Sequence, residues 1–281
     1  MIPAKTKPPL KWAGGKRQLI HEIIKRIPDD YKRYYEPFFG GGAVFFEISP
    51  SDAVLNDFNS ELINFYVVLR HQPHELISLL RTYINEEESF YRIRNLDRDK
   101  VAFGKLSDVE RAARTYYLNR TCYNGLYRVN RNGEFNTPFG KYKNTNFVNE
   151  EDILRASELL SMNNVRLLTG DFSVAVASAT EGDFVYLDPP YDDLGNDTSF
   201  ASYTKVGFDR DEQIRLKETC DKLNDKGVRF LLSNSATPFI LDLYSEYIVE
   251  IVKARRSINS KASGRGVIDE VLVSNYDRST K

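Results

Sequence analysis

Two cysteines, three histidines and one tryptophan are all that a chain of 281 residues holds of those types. Cys122 and Cys220 lie far apart with no Cys-x-x-Cys pair, which speaks against structural zinc and points to a reducing compartment. His21, His71 and His74 form no His-Glu-x-x-His cluster, so metal-dependent hydrolysis lacks its ligands. Net charge is nearly absent too: 39 basic residues stand against 40 acidic ones. A chain so balanced does not coat nucleic acid or membrane by charge alone, so any nucleic-acid contact must be local. No apolar run reaches membrane-spanning length, and Met1–Lys5 lacks the apolar core of a signal peptide, so a soluble cytoplasmic protein with no membrane partner is expected. Gly14-Gly15-Lys16 is followed by Arg17, which breaks the phosphate-loop spacing and excludes nucleotide triphosphate hydrolysis by that route.

What is present centres on Phe184-Val185-Tyr186-Leu187-Asp188-Pro189-Pro190-Tyr191. Four apolar or aromatic residues in a row, Phe184–Leu187, read as a buried strand of a parallel sheet, and the prolines end it. Asp188 is then left at the carboxyl end, where open α/β sheets place their ligands. The proline pair removes two N–H donors, so nearby carbonyls are free to accept, and Tyr191 adds a flat face. A carboxylate, carbonyl acceptors and a ring suit a planar amine such as a nucleobase carrying an exocyclic NH2. Alone, Asp-Pro-Pro-Tyr is equally a turn in which the acid caps the next helix.

Three further stretches decide between these readings. Tyr34–Phe46 runs from a strand through Gly40-Gly41-Gly42 into an apolar helix start, the geometry that lets backbone approach a ligand. The third fingerprint glycine is replaced by Phe45, which disfavours NAD. Asp52–Asp57 is a second strand ending in an acid placed for ribose hydroxyls, and Thr169-Gly170-Asp171-Phe172 ends another strand with an acid and a ring. A glycine turn plus an acid without a phosphate lysine indicates a nucleoside cofactor lacking phosphates, S-adenosylmethionine. Helical spacing predicts helices over Leu19–Ile27, around Leu76–Tyr83, from Val109 to Tyr117 behind a Ser107/Glu110 capping box, around Ile153–Leu160, and from Asp209 to Gly227. Strands are expected at Val165–Leu168, Val228–Asn234, Tyr247–Ala254 and Ile268–Tyr276. Asp192–Gly207 reads as a mobile flap, and Arg255–Gly266 as a loop that is disordered without nucleic acid.

The strand–helix alternation stops between about Ser60 and Asn149. From Arg111 to Asn149, the second half of this insertion, Arg111, Arg114, Arg120, Arg128, Arg131, Lys141 and Lys143 are opposed by Glu134 alone and are interleaved with tyrosines and phenylalanines. Such a basic, aromatic island suits phosphate contacts and base stacking. Tyr127–Asn136 alternates around Asn132-Gly133 and predicts a β-hairpin, a ribbon that fits a DNA major groove with Arg128 placed to read guanine.

The ordered motifs Lys11–Lys16, Glu36–Gly42, Asn56-Asp57, Asn124-Gly125-Leu126, Phe135–Tyr142 and Asp188–Tyr191 together resemble the DNA adenine methylase (Dam) family over nearly the whole chain. The resemblance implies an α/β fold, a Rossmann-like methyltransferase sheet with an inserted, mainly helical target-recognition domain carrying a β-hairpin. It implies a catalytic domain over 1–59 and 150–281 and a recognition domain over 60–149. It further implies methylation of adenine N6 in double-stranded DNA within GATC, with the base flipped out, S-adenosylmethionine as donor, S-adenosylhomocysteine as product and no metal. Carried over by residue, catalysis falls to Asp188, Pro189, Pro190 and Tyr191. The cofactor falls to Trp12, Lys16, Phe39, Gly40, Gly42, Asp57, Asp171, Phe172 and Asp188. DNA falls to Lys11, Arg120, Tyr123, Asn124, Leu126, Arg128, Pro138, Lys141 and Tyr142. Tyr127 and Val129 depart from commoner members, as does Gly41, which stands where others carry alanine. Rival readings are a cytosine N4 methyltransferase, which more often begins the motif with serine, an RNA methyltransferase, and an idle DNA-binding subunit. Service beside a restriction endonuclease in a bacterial or phage setting is compatible with the resemblance.

Overall fold

The structure, a computed structural model, describes residues 6–12, 19–142, 146–162, 164–192, 208–255 and 267–277. Lys16, most of the expected flap and nearly all of the Arg255–Gly266 loop lie outside the described residues. Strands β1 (Tyr34–Glu36), β2 (Asp52–Asp57), β3 (Asn164–Thr169), β4 (Phe184–Leu187), β5 (Arg229–Ser235), β6 (Ile248–Arg255) and β7 (Val267–Ser274) form one seven-stranded sheet. Their order is β3-β2-β1-β4-β5-β7-β6. The first five run parallel, and β7 is antiparallel to both β5 and β6. Every residue of β1 and β4 is buried, as expected of central strands covered on both faces.

Side-chain alternation divides the core. Tyr34, Phe184 and Tyr186 point into one apolar cluster, while Tyr35, Val185 and Leu187 point into another. The first cluster is covered by α1 (Ile20–Arg26), α2 (Ala43–Ile48), α3 (Ser60–His71), α4 (Pro73–Leu80), α5 (Glu87–Arg94), α7 (Asp108–Thr121) and α8 (Glu150–Met162), with the short α6 (Lys100–Phe103) beside them. The second is covered by α9 (Phe172–Ala175), α10 (Arg210–Asp225) and α11 (Pro238–Leu243). The α7 start carries the expected reciprocal cap between Ser107 and Glu110. Among the described residues no helix is long and apolar enough to cross a membrane.

The position of the site follows from topology. Strand β1 is flanked by β2 on one side and β4 on the other, so the connections diverge there and open a crevice at the carboxyl ends. Those ends carry the glycine turn, Asp57 and Asp188. Two expectations are corrected. The ribbon over Tyr127–Asn136 contracts to a single antiparallel bridge, Val129 to Phe135, because the Asn130 side chain accepts from Asn132 and Glu134 backbone and closes the turn early. Helix α11 was not expected; Thr237 caps it and Pro238 supplies its first residue.

Candidate active site and nucleic-acid interface

Asp188 stands half-buried just past β4, and the neighbouring strand holds it. Ser233 Oγ donates to Asp188 Oδ1 at 2.9 Å, and the Tyr186 hydroxyl lies 3.2 Å from the same Ser233 oxygen. Beyond the prolines, Asp192 N–H donates to Asn234 Oδ1 at 3.1 Å, Asn234 Nδ2 to Gln213 Oε1 at 3.0 Å, and Gln213 Nε2 to the Pro190 carbonyl at 2.8 Å. The turn is therefore anchored by β5 and α10 from behind. One expectation narrows: the Pro190 carbonyl is already engaged, which leaves that of Pro189 as the backbone acceptor beside Asp188. Tyr191 donates its hydroxyl to Glu270 Oε2 at 2.7 Å, which anchors the tip of its side chain. Burial, reinforced by the nearby Asp188 and Glu270 charges, holds the Tyr191 phenol well above its ordinary pKa, so it stays a donor.

The glycine turn lies on the other side of the crevice. Gly40 and Gly42 have φ of 50° and 67°, which a side chain would strain, and a Cβ on Gly40 would meet Trp12 at 2.8 Å. Asp57 Oδ2 accepts from Gly40 N–H and Oδ1 from Asn59 N–H, each at 2.9 Å. Each carboxylate oxygen keeps a lone pair, the acceptor set that a pair of ribose hydroxyls requires. Burial pushes the Asp57 carboxyl up, against those two backbone bonds. Asn56, buried behind it, donates to the Pro37 and Gly170 carbonyls at 3.0 Å each and ties three strand ends together. The Phe39 ring is packed among Phe45, Phe46 and Tyr66, so only its backbone belongs to the turn. These groups fit a nucleoside cofactor, with Asp57 for its hydroxyls and the glycine backbone beneath it.

Glu36, the last residue of β1, is 3% exposed and accepts from the Tyr34 hydroxyl at 2.8 Å. Burial raises its carboxyl well above 4.5, and the Asp188 and Asp57 charges add to the rise. A raised acid penalises folding above its unfolded pKa, because the unfolded chain loses the proton first. Glu36→Gln is accordingly expected to raise the melting temperature at pH 7 to 8, with the difference vanishing below about pH 4.5, in paired thermal scans across that range.

Asp171 has partners within the protein. Its carboxylate caps α9 through Ser173 and is gripped by Arg215 at 3.0 and 2.7 Å, while the guanidinium lies 4.2 Å from the Phe172 ring centre. The Arg215 bond holds the Asp171 carboxyl at about 2, and only its remaining lone-pair capacity is left for a cofactor amine. Phe172 is buried against Phe38 and Phe208.

The candidate DNA-reading residues converge at the end of α7. Asn119 clamps the Lys11 backbone, accepting from its N–H at 2.8 Å and donating to its carbonyl. Lys11 Nζ then lies 4.9 Å from the Tyr142 ring centre. Tyr142 donates to the Cys122 carbonyl, and Tyr123 N–H to that of Pro138. Tyr123 and Asn124 are exposed, Asn124 with φ of 55°, and the Leu126 carbonyl takes the Thr137 hydroxyl. Arg128 Nε donates to Asn136 Oδ1 at 2.7 Å, which points the fork of the guanidinium; Asn136 was missed in the sequence. Lys141 is exposed, and the last turn of α7 carries Arg120.

The basic island is smaller than counted. Arg114 is buried against Asp97 at 2.7 Å, and Arg111 pairs with Glu61. Both acids come from outside the 111–149 stretch, where a count along the chain could not find them. Ser233, Asn234, Gln213, Glu270 and Arg215 were missed as well. One trace of them was legible, the polar pair Ser233-Asn234 at the end of a strand expected to be buried.

Comparison with known proteins fits this geometry. A type II methyltransferase of Lactococcus lactis subsp. cremoris is 46% identical over 96% of this chain and 95% of its own length. A type II methyltransferase of Methanocaldococcus jannaschii is 38% identical over 96% of this chain and 99% of its own. The DNA adenine methylase of Escherichia coli is 34% identical over 94% and 93%. Residues 12–258 match the family of D12 class N6 adenine-specific DNA methyltransferases, and the chain belongs to that family.

Proposed function

We propose that this methyltransferase transfers the methyl group of S-adenosylmethionine to adenine N6 in double-stranded DNA, within GATC, with the target base flipped out of the duplex. The observation that carries the reading is the Asp188 turn, a carboxylate fixed by Ser233 next to the Pro189 carbonyl and the pinned Tyr191 ring. Adenine's amine is a poor nucleophile because its lone pair is delocalised into the ring. Asp188 and the Pro189 carbonyl each accept one N6 hydrogen, which draws the nitrogen toward tetrahedral geometry and aims its lone pair along the line of transfer. Tyr191 stacks on the base. S-adenosylmethionine supplies a methyl group on sulfonium, an already activated leaving group, so the reading needs no metal. One N–C bond forms as one S–C bond breaks, and the amine releases one proton. Unstacking the base costs a few kcal/mol, which stacking and pocket hydrogen bonds offset.

In this reading residues 1–59 and 150–281 form the catalytic domain, and 60–149 the recognition domain. Trp12, Lys16, the turn at Phe39–Gly42, Asp57, Asp171 and Phe172 hold the cofactor. Lys11, Tyr123, Asn124, Leu126, Arg128, Pro138 and Tyr142 face bases, with Arg120 and Lys141 near phosphates. The names of the two type II relatives favour service beside a restriction endonuclease. Expression in a methylase-free host followed by sequencing that detects methylated adenine is expected to show modified GATC. Modification at another motif would overturn GATC alone, and none at all would overturn the function.

The Asn136-braced Arg128 carries a separate expectation. Arg128→Ala should lower the preference for cognate over scrambled duplex by roughly 10- to 100-fold, whereas Lys141→Ala should weaken both alike. Competition binding at fixed salt reads the ratio, and equal losses for Arg128→Ala would contradict a base-reading role.

A further inference from the structure

Tyr127 stands between the glycine turn and the base of the hairpin. Trp12 stacks on Tyr127, with ring centres 5.3 Å apart and planes 23° apart. Its other side lies on the turn, since a Cβ on Gly40 or Gly41 would meet Trp12 at 2.8 Å. Gly40 N–H in turn donates to Asp57, whose other oxygen accepts from Asn59 N–H. Tyr127 is also packed edge-on against Phe135, ring centres 5.5 Å apart, and Phe135 is half of the bridge that forms the hairpin.

Tyr127 is thus in direct contact with the recognition hairpin and joined through Trp12 to the glycine turn that Asp57 holds. Tyr127 reaches neither the reacting atoms nor a base in the proposed function. Its two ring contacts, with Trp12 and with Phe135, do fix how the hairpin sits relative to the glycine turn, so a shift on one side must be carried to the other or break a contact.

Resting on the proposed function, we infer that Tyr127 is a positioning residue that couples the two sites, so that filling the cofactor site favours the hairpin geometry that reads DNA, and the reverse. Coupling of this kind is reciprocal and typically changes affinity by about 5- to 150-fold. It is measured by titrating the full-length protein with S-adenosylhomocysteine, alone and with a saturating duplex carrying the site mapped by sequencing in the host. The ratio of the two dissociation constants is the readout. In the wild type the ratio is expected to be about 5 or more. Tyr127→Ala should bring it close to 1, while turnover at saturating cofactor and DNA stays within a few-fold of wild type. Tyr127→Phe keeps both ring contacts, so the wild-type ratio is expected there.

Trp12 is the only tryptophan, so its emission reports the stack directly. Duplex binding should change that emission in the wild type and leave it unchanged in Tyr127→Ala. A wild-type ratio of 1, or the wild-type ratio retained in Tyr127→Ala, overturns the inference. If the alanine variant does not fold, Tyr127→Leu decides, since it keeps apolar bulk and loses both ring contacts, and the wild-type ratio retained there overturns the inference. Failure of the wild type to bind S-adenosylhomocysteine or duplex at all would instead count against the proposed function.

Discussion

Asp188→Ala is expected to lower methyl transfer by about 100-fold or more, while dissociation constants for cofactor product and duplex shift only a few-fold. The size follows from what one preorganised acceptor supplies at a centre where charge develops. Ser233 holds the Asp188 carboxylate in place before any substrate arrives, so the wild type spends little on arranging it during reaction. Alanine leaves the Pro189 carbonyl as the sole acceptor beside the motif, and one acceptor cannot hold both N6 hydrogens. Asp188→Asn is the sharper probe. An amide keeps the shape and an oxygen for Ser233, but then presents a donor to an amine that also donates. Single-turnover methylation with both ligands saturating gives the rate, and wild-type turnover in either variant would remove Asp188 from the chemistry.

Asp97→Ala is expected to cost about 3 kcal/mol of folding stability, the lower end of what breaking a buried ion pair costs. Asp97 and Arg114 have side chains only 6% and 5% exposed, and their partner atoms are 2.7 Å apart. The lower end applies because Arg114 keeps two partners, the carbonyls of Ile93 and Arg94. Asp97 also accepts from Phe135 N–H at 2.7 Å, and Arg98 donates to the Phe135 carbonyl. Loss of the carboxylate therefore frees the hairpin base as well as the helix. Urea denaturation checks the stability change. A change under 0.5 kcal/mol, the ordinary range for a surface site, would contradict the buried pairing.

The strand ends were legible because burial on both faces leaves an uninterrupted apolar run whose first polar residue marks the boundary. Strand β2 has the expected bounds, Asp52–Asp57, and β4 ends at Leu187 immediately before Asp188. The groups that hold those ends were not legible. Gln213 reaches Pro190 from α10, Glu270 reaches Tyr191 from β7, and Asn234 reaches Asp192 from β5. No spacing along the chain encodes such meetings; the sheet order does. The same reason explains Arg111 and Arg114, which read as free cations until the fold delivers Glu61 and Asp97. Arg128 was legible as a candidate reader, but its brace Asn136 was hidden in a stretch whose expected ladder is a single bridge.

The sheet order also bears on synthesis. Strand β1 pairs with β4, Tyr34 beside Phe184, so its second neighbour does not exist until the residues through Leu187 have left the ribosome. The helices from α3 to α7 lie wholly between these strands in the chain and pack against one another, α7 against α3, α4 and α5. They can therefore gain structure while the sheet is still open. The Lys11 backbone likewise waits for Asn119, 108 residues downstream. The middle of the nascent chain can thus assemble before its ends, whereas the crevice between β1 and β4 cannot form until β4 is made.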